Sequence, residues 1–115
     1  MTDPTLEREI LVAGLDDWLS FAEVTRYVSV ALGAAVDNDA FEATMGVITE
    51  LLANLLIEVG EMGGQPLRFV PWMESKEAIL TKIRDRYAET VPFTGIRPGD
   101  VCWISLTAKG RERVV

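Results

Sequence analysis

The chain has 115 residues, 49% of them hydrophobic and 25% charged, the balance of one globular domain able to bury a core without staples. It has no histidine and one cysteine, Cys102. That excludes an internal disulfide, a cysteine-cluster metal site and any nucleophile–histidine catalytic pair. Net charge is −7 and is divided unevenly: residues 1–67 carry twelve acids against two bases (Arg8, Arg26), a balance of −10, while residues 68–115 carry nine bases against six acids, +3.

The first helix is predicted to start at Asp3, with Pro4 at the first helical position, where a missing N–H costs nothing. Leu6, Ile10, Ala13 and Asp17 share one stripe, and Leu11, Leu15 and Trp18 the adjacent one. A second helix begins at Ser20, with Glu23 three residues on as a capping box and Leu19 and Val24 as a hydrophobic staple. Its expected inward face is Val24, Tyr27, Val28, Ala31 and Leu32, and Gly33 fits the left-handed position that ends a helix.

A third helix starts near Asp39. Phe41, Met45, Ile48, Leu52 and Leu55 recur at a helical period, leaving Glu42, Gly46, Thr49, Glu50 and Ala53 facing outward. Ile57–Met62 then reads as a strand, and Gly63-Gly64-Gln65-Pro66 as a turn into a second strand, Leu67–Val70, stopped by Pro71. A fourth helix is expected from Ser75 to Glu89, with Ile79, Leu80, Ile83 and Tyr87 inward and Lys76, Lys82, Arg84 and Arg86 on the polar face. Val91–Asp100 reads as a Pro- and Gly-rich loop. Val101–Leu106 is a last strand with Trp103 and Ile104 on opposite faces, and Thr107 caps a short helix holding Lys109, Arg111 and Arg113.

Three helices followed by a strand, a turn and a strand is the order of a winged helix-turn-helix domain. The run Glu50–Gly60 resembles the place where a recognition helix enters the first wing strand. Ile104–Arg111 is similar to the second wing strand and following helix of the multidrug-resistance and phenolic-acid regulator families. Phe69-Val70-Pro71-Trp72 and Gly99–Thr107 resemble pieces of an uncharacterised group of small actinobacterial proteins. The fold expected from this resemblance is α+β: one winged-helix-like domain over residues 1–115, with a helical insertion at about 67–100 between the wing strands.

The charge argues against the regulator's usual role. Between Arg26 and Arg68 there is no lysine or arginine, and Tyr27–Leu67 sums to −6. DNA affinity comes largely from cations that neutralise phosphates, and base readout leans on Arg, Lys, Asn and Gln. The third helix offers Asn54 alone. The expected function is therefore a non-catalytic module that binds a protein partner through Glu42, Thr49, Glu50 and Ala53. The alternative is a DNA-binding transcriptional regulator that uses Lys82, Arg84, Arg86, Lys109 and Arg111, and a small-molecule sensor is a third class.

No cofactor is expected, and no metal. Asp37 with Asp39 is accounted for by the stabilisation of negative charge at a helix N-terminus, while Asp16-Asp17 has no such account. The glycines lack the Lys-Ser or Lys-Thr of a phosphate loop. Cys102, flanked by Val101, Trp103 and Ile104, is expected to be an inert core residue, and the tryptophans core material. With no signal segment or apolar run of about 20 residues, a cytoplasmic, membrane-free protein is expected. Self-association is expected to be weak at most: a monomer, or a dimer in which the acidic face meets the basic fourth helix of a second copy. A salt-resistant dimer would implicate the stripe around Leu11 and Leu15.

Overall fold

The computed structural model describes residues 4–33, 38–94 and 101–114. These form a mixed α+β structure of five helices and one four-stranded antiparallel sheet. In chain order they are α1 (Pro4–Ala13), β1 (Leu19–Ser20), α2 (Phe21–Leu32), α3 (Asn38–Ala53), β2 (Ile57–Gly63), β3 (Arg68–Pro71), α4 (Lys76–Thr94), β4 (Trp103–Leu106) and α5 (Ala108–Val114). The sheet order is β1-β4-β2-β3, so the strand latest in sequence lies inside the sheet. Ile104 pairs with Leu19 on one side and Val59 on the other, and Leu106 pairs with Ile57. Side chains alternate across the strand: Ile104 and Leu106 are buried, while Trp103 and Ser105 are half-buried on the opposite face.

α1 ends earlier than its sequence stripe suggests. Gly14 donates its N–H to the carbonyls of Ile10 and Leu11, and the chain turns there. A Cβ on Gly14 would stand 3.1 Å from the Leu106 side chain, so the turn is packed directly on β4. Asp17 and Trp18 are therefore off the helix and exposed. The turn delivers Leu19 and Ser20 to β4 as a two-residue strand that sequence reasoning did not anticipate.

α2 carries the capping box as expected. Glu23 N–H donates to Ser20 Oγ at 3.2 Å, and Ser20 N–H donates to Glu23 Oε1 at 3.2 Å. Gly33 closes the helix at φ +66°, its N–H reaching Ser29 and Val30 carbonyls. The buried face is rotated from the expected one, however. Phe21, Ala22, Val24, Thr25, Val28 and Ser29 point inward, while Tyr27, Ala31 and Leu32 are exposed. The reason is that Thr25 and Ser29 satisfy their own hydroxyls: Thr25 Oγ1 donates to Phe21 O at 2.9 Å and Ser29 Oγ to Thr25 O at 2.8 Å. A hydroxyl bonded four residues back can be buried without an orphaned polar group.

α3 is buried on more than one side. Ala40, Phe41, Thr44, Met45, Val47, Ile48 and Leu51 are all in the core, and Leu52 packs against it. Leu55, expected inward, instead sits past the helix in the left-handed conformation at φ +60°, with its side chain exposed. Leu56 N–H reaches Leu51 O and Leu55 N–H reaches Leu52 O, the paired bonds of a Schellman end normally built on glycine. The exposed Leu55 carbonyl is taken by Thr107 Oγ1 at 2.6 Å, and Thr107 N–H bonds Leu56 O at 3.0 Å. Thr107 Oγ1 also caps α5 by accepting from Gly110 N–H at 3.0 Å.

β3 runs to Pro71, which pairs with Gly60, so proline ends this strand from within rather than after it. α4 starts at the cap Ser75, whose Oγ accepts from Ala78 N–H, and buries Ile79 and Ile83 as expected. Its backbone stays helical through Thr94, so Val91–Thr94 belongs to the helix and not to the expected loop. The rest of that loop, residues 95–100, and the proposed first residue of α1, Asp3, lie outside the described residues. One apolar cluster draws on α1 to α4 and on β1, β2 and β4, and Val114 of α5 packs against it. The described helices include none long and apolar enough to cross a membrane.

Two glycines make opposite demands. A Cβ on Gly110 would stand 2.1 Å from the Leu56 carbonyl, whereas one on Gly46 in α3 would meet nothing within 4 Å. Gly110→Ala is therefore expected to destabilise by at least about 1–3 kcal/mol, because backbone must move. Gly46→Ala is expected to stabilise by about 1 kcal/mol through helix propensity alone. Urea unfolding of the two variants checks both signs.

Candidate functional site

The exposed edge of α3 forms one wall of a cleft of about 660 Å³, closed by α1, α2 and the middle of α4. Its floor is apolar, with Leu6 from α1, Val28 from α2, and Met45 and Val47 from α3. Its rim carries Glu42, Glu50 and Thr49 from α3 and Arg84 from α4. Gly46 lies between the acids, which keeps the wall low. Three of the four residues expected to bind a partner are thus gathered in one place. The fourth, Ala53, is exposed on the last turn of α3 and does not line the cleft. Thr49 and Glu50 are half-buried rather than fully outward, and Thr49 Oγ1 bonds Met45 O at 2.6 Å.

The structure brings together residues that sequence reasoning assigned to competing roles. Arg84 forms a two-pronged pair with Glu42: Nη1 to Oε2 at 2.8 Å and Nη2 to Oε1 at 3.1 Å. This fork geometry is the strong form of a carboxylate contact. The Arg84 hydrogen bond holds the Glu42 carboxyl below its usual range, and the same bond raises Arg84. The complementarity expected between the acidic face of one copy and the fourth helix of another is here closed within one chain.

Lys82 and Arg86 of α4 are also engaged, whereas Lys76 is in no salt bridge among the described residues. Trp72, buried just after β3, donates its indole N–H to Glu61 Oε1 at 2.7 Å. Lys82 Nζ stands 4.5 Å and the Arg86 guanidinium 4.8 Å from the Trp72 ring centre. Arg86 also reaches Glu61 Oε1 and the Val101 carbonyl, each at 3.4 Å, and Lys82 bonds Glu74 at 3.0 Å. The indole hydrogen bond first, then the neighbouring cations, lower the Glu61 carboxyl. Cations on a ring face add attraction of roughly 0.5–1 kcal/mol each at exposed sites. The cluster clamps α4 onto β2 and β3. On α5, Arg111 Nη1 donates to Leu15 O at 3.1 Å, tying the terminal helix to the turn after α1. Of the five residues named for nucleic-acid contact, Lys109 is the one that makes no such bond among the described residues.

Asp16 and Asp17 are exposed in the turn after α1, where Asp17 Oδ1 accepts the Trp18 N–H at 2.8 Å. Asp37 lies outside the described residues, so its pairing with Asp39 is not described. Among the described residues there is no cluster of three acidic or cysteine side chains able to hold a metal ion. Trp72 is buried, whereas Trp18 is exposed and Trp103 half-buried. Leu11, named for an apolar dimer face, is in the core, and Leu15 is half-buried against it.

No family model, no curated protein and no solved structure matches this chain.

Cys102 is buried beside β4, and burial pushes its thiol up to about 12 from an ordinary 9. Below pH 9 the thiol is protonated in both states and contributes no pH dependence. Between pH 9 and 12 the unfolded chain loses the proton and the folded chain keeps it, so stability falls with rising pH. The expected slope is about 1.4 kcal/mol per pH unit. Unfolding free energies of the native chain and Cys102→Ala, measured from pH 8 upward, are expected to converge with that slope. Parallel curves would show an accessible thiol.

Proposed function

We propose that this chain is a winged-helix-like module, non-catalytic, that binds a basic amphipathic helix of a protein partner in the α3 cleft. The winged-helix reading is supported by the order α1-β1-α2-α3-β2, with β4 between β1 and β2 as a returning wing strand. β3 and α4 then form an insertion between the two wing strands. In this reading α3 is the helix that would enter a DNA groove, and its exposed edge is anionic.

The observation that carries the reading is the cleft itself. It combines an apolar floor with a carboxylate rim, on a segment with no base between Arg26 and Arg68. An amphipathic helix uses such a groove by burying its apolar positions and leaving its polar face at the rim. A lysine- or arginine-rich edge complements Glu42 and Glu50. Arg84 then acts as a rim cation that can exchange Glu42 for another carboxylate or give it up to an incoming cation. The alternative, a DNA-binding regulator using the basic C-terminal half, draws on Lys82, Arg84 and Arg86, which here already lie on carboxylates or on the Trp72 ring. Using Arg84, Arg86 or Lys82 on phosphate would release Glu42, Glu61 and Trp72.

The test is fluorescence anisotropy with a labelled helical peptide bearing leucines on one face and lysines on the other. Binding is expected near 0.1 M salt and a marked loss near 1 M, where screening shortens from about 10 Å to about 3 Å. Glu50→Lys is expected to weaken it about tenfold, which is 1.4 kcal/mol, and Gly46→Leu to block the cleft without unfolding the chain. Indifference to both substitutions, or selective duplex-DNA binding at physiological salt, would overturn the reading.

A further inference from the structure

The cleft is not the only unpartnered surface. On the other side of α2, α1 and α2 present a joint face with an apolar centre. Val12 is 43% exposed, Tyr27 36% and Val30 74%. Two shallow depressions run along it and share Glu9 and Tyr27, so the face is continuous. Apolar spacing alone places Tyr27 on the inward face of α2. With Thr25 and Ser29 self-bonded and turned inward, α2 carries Tyr27 here instead.

The charges on this face select its occupant. Residues 1–67 hold only two cations, Arg8 and Arg26, and both line it. They stand with Glu9 and Glu23, two bases against two acids, so the face is neutral. The remaining ten acids of that half have no base among them. Arg8, Glu9 and Arg26 form no salt bridge among the described residues. A basic partner would be repelled by Arg8 and Arg26 as strongly as it is drawn to Glu9 and Glu23. Another copy of this chain has the matching set. An isologous contact requires a self-complementary patch, and this face carries the only cations of the acidic half, beside Glu9 and Glu23 and around an apolar centre. Elsewhere on the acidic half, two copies would meet like charge on like charge.

We propose that two copies of this chain associate through the α1–α2 face, with Val12, Tyr27 and Val30 at the centre. A two-fold axis near Tyr27 sets the end of the face that holds Arg8 against the end that holds Glu23 in the other copy. The α3 cleft opens elsewhere and remains available in the dimer, so this contact and the partner reading stand or fall separately.

The experiment is sedimentation equilibrium on the full chain over a wide concentration range. A monomer–dimer equilibrium is expected for the native sequence. Val30→Asp and, separately, Val12→Asp are expected to raise the dissociation constant at least tenfold. Both positions are solvent-exposed, and a thermal midpoint recorded for each variant confirms that it folds. Met73→Asp, at a site 88% exposed and remote from this face, is the control expected to change nothing. A second reading uses the burial of Cys102: an engineered thiol in Val30→Cys is the accessible one, and mild oxidation is expected to give a covalent dimer. A chain that stays monomeric at every concentration, or a dimer that tolerates Val30→Asp and does not cross-link through Val30→Cys, would overturn the proposal.

Discussion

Everything in the sheet depends on β4 reaching its place between β1 and β2. Without it, β1 is two residues with no neighbour, and β2 has a partner on one side only. The contact that registers β4 is made just beyond it, at Thr107. Its N–H takes the Leu56 carbonyl, its hydroxyl takes the Leu55 carbonyl, and the same hydroxyl caps α5. One side chain thus joins the end of α3, the start of β2 and the start of the terminal helix. Two features that look unfavourable in isolation follow from that junction. Leu55 adopts a left-handed conformation that costs an ordinary residue roughly 1–2 kcal/mol, and it presents its carbonyl to Thr107. Gly110 is required because α5 must lie against the Leu56 carbonyl.

The division of charge along the sequence becomes contact geometry in the fold. The acidic first half and the basic second half meet at α4, where Arg84 pairs with Glu42 and Arg86 with Glu61. These pairs are largely exposed, so each adds little stability. Their effect is on availability. Of the four cations expected on α4, Lys82, Arg84 and Arg86 already lie on carboxylates, on a carbonyl or on the Trp72 ring, while Lys76 makes no such contact among the described residues. What the pairing leaves is an acidic edge along α3, interrupted by one arginine, above an apolar cleft.

Local signals were the legible part of this sequence. Ser20 with Glu23, Gly33, Ser75 and Thr107 each marked a helix end correctly, because capping is decided within a few residues. The glycine-rich turn between β2 and β3 was readable for the same reason. The α+β class followed from the change of period after Leu56. The errors arose where a distant element decided the outcome. α1 stops at Ala13 because Gly14 packs on Leu106, more than 90 positions away. β1 exists only because β4 returns to it. Neither can be seen in a local window.

The face of α2 shows a subtler failure, and it bears directly on function. Counting apolar residues at helical spacing favours Tyr27, Ala31 and Leu32, since threonine and serine score as polar. In the helix, Thr25, Ser29 and Thr44 each donate to the carbonyl four residues back and then behave as small buried residues. Reassigning Thr25 and Ser29 rotates the inward face of α2 away from Tyr27. The large apolar residues left outside, Tyr27 and Val30 on one edge and Leu32 beside the cleft, are then surplus to the core. α2 therefore buries Thr25 and Ser29 beside Phe21, Ala22, Val24 and Val28, and leaves Tyr27, Val30 and Leu32 exposed. Its inward side packs on the core, and its outer side forms an exposed face with α1.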